Sequence, residues 1–372
     1  MLADRLTAMS ESVILQVAMP VPLPGVFDYL PGPAEAKIGS RVLAPFGKRN
    51  MVGVVINIAA KSEMPPERLQ AVEQVLDDGE ALLDGDLIGL LRWCWQYYKH
   101  APGEVVASAL PPALRVARGS LPEAPLQYRL TGEGHKRLEQ PVGRARIQFA
   151  MLEEMREGPA VPEQLASIGS QWRKTLSALS GQGWVEAEPQ PPLQAKPSPG
   201  PELTAEQAAA VSAITSVPEG FSCHLLDGVT GSGKTEVYMC LLEQVLARGG
   251  QAMVLVPEIG LTPQLLRRFI QRQGIDPAVI HSGLSEGERL AAWESVRTGR
   301  ARLLVGTRSA LFSPVPALAM IILDEVHDAS FKQQDGFRYS ARDVAVKRAA
   351  DLDIPVVLGS ATPSLESLNN AV

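Results

Sequence analysis

A chain of 372 residues with a net charge of −6 is too long for one typical domain and predicts two or three units of ~100–200 residues, each with its own core. No apolar run approaches the ~20 residues that cross a bilayer, and the acidic balance excludes a broad basic surface wrapped by nucleic acid while leaving room for compact DNA sites. Cys94, Cys223 and Cys240 are the only cysteines, none in a C-x-x-C pair, so neither a disulfide framework nor a cysteine-ligated zinc is expected.

The chain opens with Asp4, Ser10 and Glu11 in place of a basic segment and a long apolar core, which is not a secretory signal and predicts a cytoplasmic protein. Short apolar runs follow at Val13-Ile14-Leu15, Arg41-Val42-Leu43 and Gly53-Val54-Val55-Ile56, separated by Pro and Gly. They predict a small β-rich domain over 12–112. A helix over 87–100 carries Leu90, Leu91, Trp93, Trp95, Tyr97 and Tyr98. From about 144 the pattern predicts three short helices and a strand-like wing at Gly183-Trp184-Val185-Glu186, which suits a winged helix over 113–188. Its recognition-type helix would run from Ser170 to Ser180, with Trp172, Leu176 and Leu179 inward and Arg173 and Lys174 outward. A purely structural spacer fits the same pattern. The basic pairs Lys48-Arg49, Arg115 with Arg118, Arg144 with Arg146 and Arg173-Lys174 are candidate phosphate contacts or solvated faces. Residues 189–201, rich in proline, predict a stiff linker.

Beyond the linker, strands and helices alternate over 202–372. Strands are predicted at Leu225-Leu226, Met253 to Val256, Ile321 to Leu323 and Val356 to Leu358, and a helix from Lys234. These short apolar runs suit a buried parallel sheet, and Ser285 with Glu288 makes a capping box. The fold expected is a multidomain α/β chain: a β-rich N-terminal domain, a winged helix, then a RecA-like P-loop lobe built on a parallel sheet.

Gly228-Val229-Thr230-Gly231-Ser232-Gly233-Lys234-Thr235 fits G-x-x-x-x-G-K-[ST] between an apolar strand and a helix. Such a turn aims backbone N–H groups and a helix N-terminus at phosphate oxygens. Lys234 would hold the β- and γ-phosphates of ATP, and Thr235 would ligate Mg²⁺. At the end of another apolar run stand Asp324-Glu325-Val326-His327. Asp324 would sit behind the Mg²⁺ shell, Glu325 would polarise the attacking water, and His327 would link the nucleotide to its neighbours. Ser360-Ala361-Thr362 follows a third strand, in the place where helicase-type motors carry hydroxyls that bond the acidic motif. Gln207, after Leu203-Thr204, offers an amide that can read adenine; the plain alternative is an exposed helical residue.

With these residues in hand, the chain resembles the PriA (primosomal protein N′) family of superfamily 2 DNA helicases. The resemblance rests on Pro20 to Pro24 with Phe27-Asp28-Tyr29, Arg41-Val42, Pro45-Phe46-Gly47 and Tyr97-Tyr98. In the motor region it rests on Asp227 to Tyr238, Leu255 to Ile259, His281-Ser282 and Val305 to Ala310. It implies a DNA 3′-end pocket formed by Phe27, Asp28, Tyr29 and Gly47, in which a ring stacks on a base and Asp28 accepts from a 3′-hydroxyl. It also implies an aromatic-rich loop, Phe331 to Tyr339, in which Phe337, Arg338 and Tyr339 contact single-stranded DNA, and DNA-facing roles for Glu258 and Arg308. The implied partners are forked and single-stranded DNA, primosome proteins and single-stranded-DNA-binding protein. The implied location is the bacterial cytoplasm at the nucleoid, and no membrane role is implied.

The chain departs from the family at Val326, where Glu is usual, and at Gln70, where a lysine often lies near the end pocket. It ends at Val372, without counterparts of the family's second motor lobe, arginine finger, zinc-binding cysteines and C-terminal domain. Weak nucleotide binding and poor hydrolysis by this chain alone are therefore expected. The favoured reading is an ATP-dependent 3′-to-5′ helicase for replication restart. A fork-binding module with a vestigial nucleotide site, and a P-loop ATPase acting on another polymer, remain as alternatives.

Overall fold

Alternating apolar strands at the N-terminus close into one antiparallel sheet in the computed structural model, which describes residues 13–122, 125–140, 146–191, 197–217, 220–229 and 231–370. The expectations for Asp4, Ser10 and Glu11, for Thr230 and for Arg144 lie outside the described residues, as does the middle of the proline-rich stretch. The strands are β1 (Ile14–Ala18), β2 (Phe27–Tyr29), β3 (Arg41–Phe46), β4 (Arg49–Ala59) and β5 (Gln74–Val75), in the order β2-β1-β4-β3-β5. Phe46 pairs with Arg49 across a two-residue turn. Gly47 takes the left-handed φ of 62° there, as the twist of a tight hairpin requires. Helix α1 (Gly85–Tyr97) starts two residues earlier than its apolar pattern suggests, because the Asp84 side chain accepts from Leu87 N and caps it. It ends before Lys99, whose φ is 53°, and α2 (Pro102–Ser108) follows.

The chain divides into two compact units, one built from residues up to Leu121 and from Leu193 onward, the other from Pro122 to Pro192. The second unit contains β6 (Leu126–Leu130), α3 (Gly132–Leu138), α4 (Arg146–Glu154), α5 (Pro162–Ile168), α6 (Trp172–Gly181) and β7 (Val185–Pro189). β6 and β7 pair antiparallel. Trp172, Leu176 and Leu179 pack against Met151, Leu152 and Leu165, while Arg173 and Lys174 are exposed, with the Arg173 guanidinium 4.5 Å over the Trp172 ring. Strand β6 and helix α3 were not anticipated. β6 acquires its strand identity from pairing with β7, nearly sixty residues away, a contact that no local pattern announces.

The rest of the first unit is a six-stranded parallel sheet. Its elements are α7 (Ala205–Thr215), β8 (Ser222–Asp227), α8 (Lys234–Ala247), β9 (Gln251–Leu255), α9 (Pro263–Gln273), β10 (Ala278–Ile280), α10 (Glu286–Arg297), β11 (Leu303–Gly306), β12 (Leu318–Leu323), α11 (Ala341–Asp351), β13 (Pro355–Ser360) and α12 (Leu365–Asn370). The strand order is β10-β11-β9-β12-β13-β8. Period-two alternation divides the strands between two cores: Met253, Leu255, Ile321 and Leu323 face one, Ala252, Val254, Met320 and Ile322 the other. The first core is shared with Leu87, Leu91, Val105 and Leu114 of the N-terminal region. The Ser285 capping box on α10 forms with both reciprocal bonds. Because β12, β13 and β8 are neighbours and parallel, the segments after their C-terminal ends converge on one edge of the sheet, where open α/β folds hold ligands. Among the described residues no helix is long and apolar enough to cross a membrane.

Candidate functional site

The turn after β8 is shaped by its glycines. Gly231 and Gly233 have φ of 84° and 85°, a region that costs an L side chain ~1–2 kcal/mol. Gly228 N donates to Ser360 O at 3.1 Å, tying the turn to the tip of β13. Lys234, the first residue of α8, folds back under the loop: its Nζ donates to Gly228 O at 2.7 Å and lies 3.4 Å from Glu325 Oε1. The loop thus encloses its own cation, with the side chain only 8% exposed. Thr235 is half-buried beside it, and Val229 and Ser232 are exposed on the rim.

Gln207 is placed differently from the expectation of an amide open to adenine. Its Oε1 accepts from Thr204 N at 3.0 Å in a capping box, and its Nε2 donates to Ser232 O at 3.0 Å. A Cβ at Gly233 would meet that amide nitrogen at 2.2 Å, so this glycine is required by the Gln207 contact as well as by its φ. One N–H and one lone pair of the amide are left over.

Asp324 and Glu325 leave β12 in a sharp turn, with Glu325 at φ 49°. A non-glycine residue held there stores strain of ~1–3 kcal/mol, a feature that clusters at functional sites. Asp324 Oδ1 accepts from the Tyr238 hydroxyl at 2.9 Å and from Glu325 N at 3.0 Å. Burial raises the Asp324 pKa and the Glu325 charge adds to that, against the Tyr238 hydrogen bond and the Lys234 charge. Glu325 Oε2 is buried without a hydrogen-bond partner, 3.6 Å from His327 Nδ1. That nitrogen is 2.9 Å from Ser360 Oγ, which also accepts from Thr362 N at 3.2 Å. Val326 N donates to Gly359 O. Ser360 therefore bonds the acidic segment through its hydroxyl, whereas Thr362 contributes its backbone; Ala361 is half-buried between them. A glycine-lined cradle, an enclosed ammonium and a carboxylate oxygen without a donor together fit a polyphosphate with its divalent cation.

The raised Asp324 pKa has a consequence for stability. Between the unfolded and folded values the native state holds a proton that the unfolded chain has lost, so stability falls as pH rises through that window. Asp324→Asn is therefore expected to raise the melting temperature at neutral pH, by an amount that shrinks towards acid pH. Thermal melts followed by circular dichroism check this; an unchanged or lower midpoint at pH 7 contradicts it.

The aromatic-rich segment packs more closely than an open loop. Phe337 and Tyr339 are each 8% exposed, stacked at 4.8 Å and packed on Phe312, with Tyr98 and His100 also against Phe337. Both rings nonetheless line the wall of a cavity that Arg308 also faces. Between them Arg338 is exposed, as are Lys332, Gln334 and Asp335 earlier in the segment. Arg308, expected to face DNA, spends Nη1 on Ser330 O at 2.6 Å, fastening this segment. Its remaining donors line a cavity of about 550 Å³ with Glu258, Arg289, Thr307 and Ser309. Arg348, fully enclosed and with its pKa lowered to about 10 by burial, donates to Leu311 O and Ser313 O and fixes the same wall.

The N-terminal residues are likewise only partly convergent. Leu15 and Val17 pair with Tyr29 and Phe27, and Gln16 with Asp28. Consecutive strand residues face opposite sides, so the two rings and the carboxylate diverge. Tyr29 is 5% exposed and donates to Pro45 O at 2.9 Å. Phe27 is half-buried, edge-on to Phe46 at 5.0 Å beside the Gly47 turn. Asp28 accepts from Gln16 Nε2 at 3.2 Å and Ser62 Oγ at 2.5 Å. Gln70 O accepts from Leu30 N just beyond β2. Gln16 and Ser62 carry no motif signal, and Tyr238, though it ends the run Asp227 to Tyr238, was given no role by sequence reasoning; three-dimensional pairing brings all three to these sites.

Comparison with known proteins agrees with this division. Residues 16–111 match the model of the PriA-type 3′DNA-binding domain, and residues 204–371 that of DEAD/DEAH box helicases. The replication restart protein PriA of Haemophilus influenzae is 40% identical over 371 residues, 96% of this chain and 50% of that protein. The Synechocystis protein of that name is 32% identical over 448 residues, 96% of this chain and 53% of its own. The Bacillus subtilis one is 53% identical over 171 residues, 45% of this chain and 21% of its own. A structure of RecG bound to a three-way DNA junction aligns over 48% of this chain and 25% of that one, with 22% identity and a TM-score of 0.36, a likeness too slight to bear on the fold. The chain spans about half the length of the first two of these relatives. With a 3′DNA-binding domain followed by a DEAD/DEAH box helicase domain, and PriA proteins matching along nearly its whole length, the chain belongs to the PriA family of replication restart proteins.

Proposed function

We propose that the chain supplies the DNA-end-recognising and nucleotide-binding part of an ATP-dependent 3′-to-5′ DNA helicase. It would engage stalled or branched replication forks and begin primosome assembly in the cytoplasm, at the nucleoid. The observation that carries this is the meeting of Lys234 and Glu325 at 3.4 Å beneath a glycine turn, with Asp324 behind them. ATP binding would draw Lys234 off Gly228 O and Glu325 onto the β- and γ-phosphates. Glu325, released from the ammonium, would then take the proton of the attacking water. Magnesium, held through Thr235 and the Asp324 side, would supply charge neutralisation at the phosphates. The domain divisions at 12–112, 113–188 and 202–372 would assign end recognition to the first, duplex contact through Arg173 and Lys174 to the second, and nucleotide use to the third.

Forked and single-stranded DNA are the proposed ligands, with primosome proteins and single-stranded-DNA-binding protein as partners. Anisotropy of a labelled fork and DNA-stimulated release of phosphate test the reading. Fork binding together with turnover that vanishes in Lys234→Ala supports the motor. Fork binding without turnover supports a non-hydrolysing recognition module, and a fork bound no better than plain duplex defeats both.

For the end-recognising part, Phe27, the Gly47 turn and Asp28 are the contacts proposed. Asp28→Ala is expected to weaken binding to a recessed 3′-hydroxyl arm by ~1–3 kcal/mol, the scale of a hydrogen bond to a charged group. Equal weakening on 3′-hydroxyl and 3′-phosphate ends would show that the carboxylate does not read the hydroxyl.

A further inference from the structure

Residues four apart on a helix share a face, and α8 uses that spacing at the tip of β12. Lys234 presents its ammonium to Glu325 at 3.4 Å, and Tyr238 presents its hydroxyl to Asp324 at 2.9 Å. The Tyr238 side chain is 1% exposed. Its oxygen is seated against the bare backbone of Gly359, where a Cβ would lie 1.8 Å away. The phenol is thus wedged between the ends of β12 and β13, one residue before Ser360. Asp324 Oδ1 receives two donors, the phenol and Glu325 N, which fills both its lone pairs. Among the described residues no hydrogen bond ends on Oδ2.

We propose that Tyr238 is a positioning residue for the metal-facing carboxylate: by holding Oδ1 of Asp324 it fixes the plane of the group and leaves Oδ2 directed at the hydration shell of the nucleotide-bound cation. This rests on the nucleotide-site reading above. The requirement for glycine at 359 follows from the same seat.

The test is Tyr238→Phe, which removes one oxygen and keeps the ring that packs in the core. Binding of a fluorescent ATP analogue to the chain is titrated with Mg²⁺. The half-saturating Mg²⁺ concentration is expected to rise about tenfold, the equivalent of one hydrogen bond to a charged group, with affinity in EDTA unchanged. In an Asp324→Asn background the same substitution is expected to leave the Mg²⁺ curve unmoved. A lower melting temperature with superimposable Mg²⁺ curves makes Tyr238 a packing residue and overturns the proposal, as does an equal shift in the Asp324→Asn background. Failure of the unaltered chain to bind the analogue in any Mg²⁺ concentration overturns the nucleotide reading, and this one with it.

Discussion

In a full-length version of the protein, Glu325→Gln is expected to leave ATP binding nearly unchanged while lowering DNA-stimulated turnover at least ~10²-fold, the usual contribution of a positioned general base. The separation of the two effects follows from the geometry. Lys234 has a second partner, Gly228 O at 2.7 Å, so the loop keeps its shape when the Glu325 charge is removed, and the amide of glutamine still occupies the same strained turn at φ 49°. Losing one oxygen anion removes the proton acceptor alone. Lys234→Ala should behave in the opposite way, because it deletes the cation that the loop encloses: binding itself should fall, and turnover with it. Equilibrium binding of a fluorescent ATP analogue beside steady-state phosphate release, with and without forked DNA, resolves the two. Equal loss of binding in both variants would mean that Glu325 holds the loop together and is not the base.

The legible parts of this chain are those in which chemistry is local. The glycines of the phosphate turn follow from the backbone angles that such a turn needs, and the Ser285 cap from four consecutive residues. Parallel strands were visible as short apolar runs because both faces of each are buried. What escaped depends on partners distant in sequence. Tyr238 reads as one more apolar position of α8 until Asp324, 86 residues later, is brought against it. The bond from the Gln207 amide to Ser232 O, 25 residues away, carries no local signal. Phe337 and Tyr339 lie deeper than aromatic residues beside Gly336 suggest: both are buried, while Arg338 between them is exposed. Their burial against Tyr98 and His100 joins the N-terminal region to a segment that begins four residues after His327. That contact ties the region matched by the 3′DNA-binding domain to the segment that follows the acidic motif.

Arg41→Ala is expected to destabilise the first unit by ~3–5 kcal/mol, the cost of leaving a buried charge without its partner. Arg41 is fully enclosed. Its Nε and Nη2 donate to the two oxygens of Asp77 at 2.7 Å each, and further bonds reach Leu114 O and Gly119 O. Asp77 is itself 5% exposed in its side chain and held at φ 53°, so the loss of the guanidinium leaves a carboxylate and two carbonyls without donors. Of the four bonds from this side chain, two hold Asp77 and two connect β3 to the segment around Leu114 and Gly119 that ends the N-terminal region, beside the helices that share the core of the parallel sheet. The midpoint of thermal unfolding should fall by roughly 6–20 °C, given ~2–4 °C per kcal/mol in domains of this size. Asp77→Ala added to Arg41→Met should recover part of the loss, since a buried pair replaced by apolar groups is close to neutral, but not all, because the carbonyls of Leu114 and Gly119 stay unsatisfied. Thermal melts of the single and double variants decide it: a single-variant midpoint within 2 °C of the parent, an allowance of about 1 kcal/mol, would mean that water replaces the guanidinium and that the region is held by its apolar core alone.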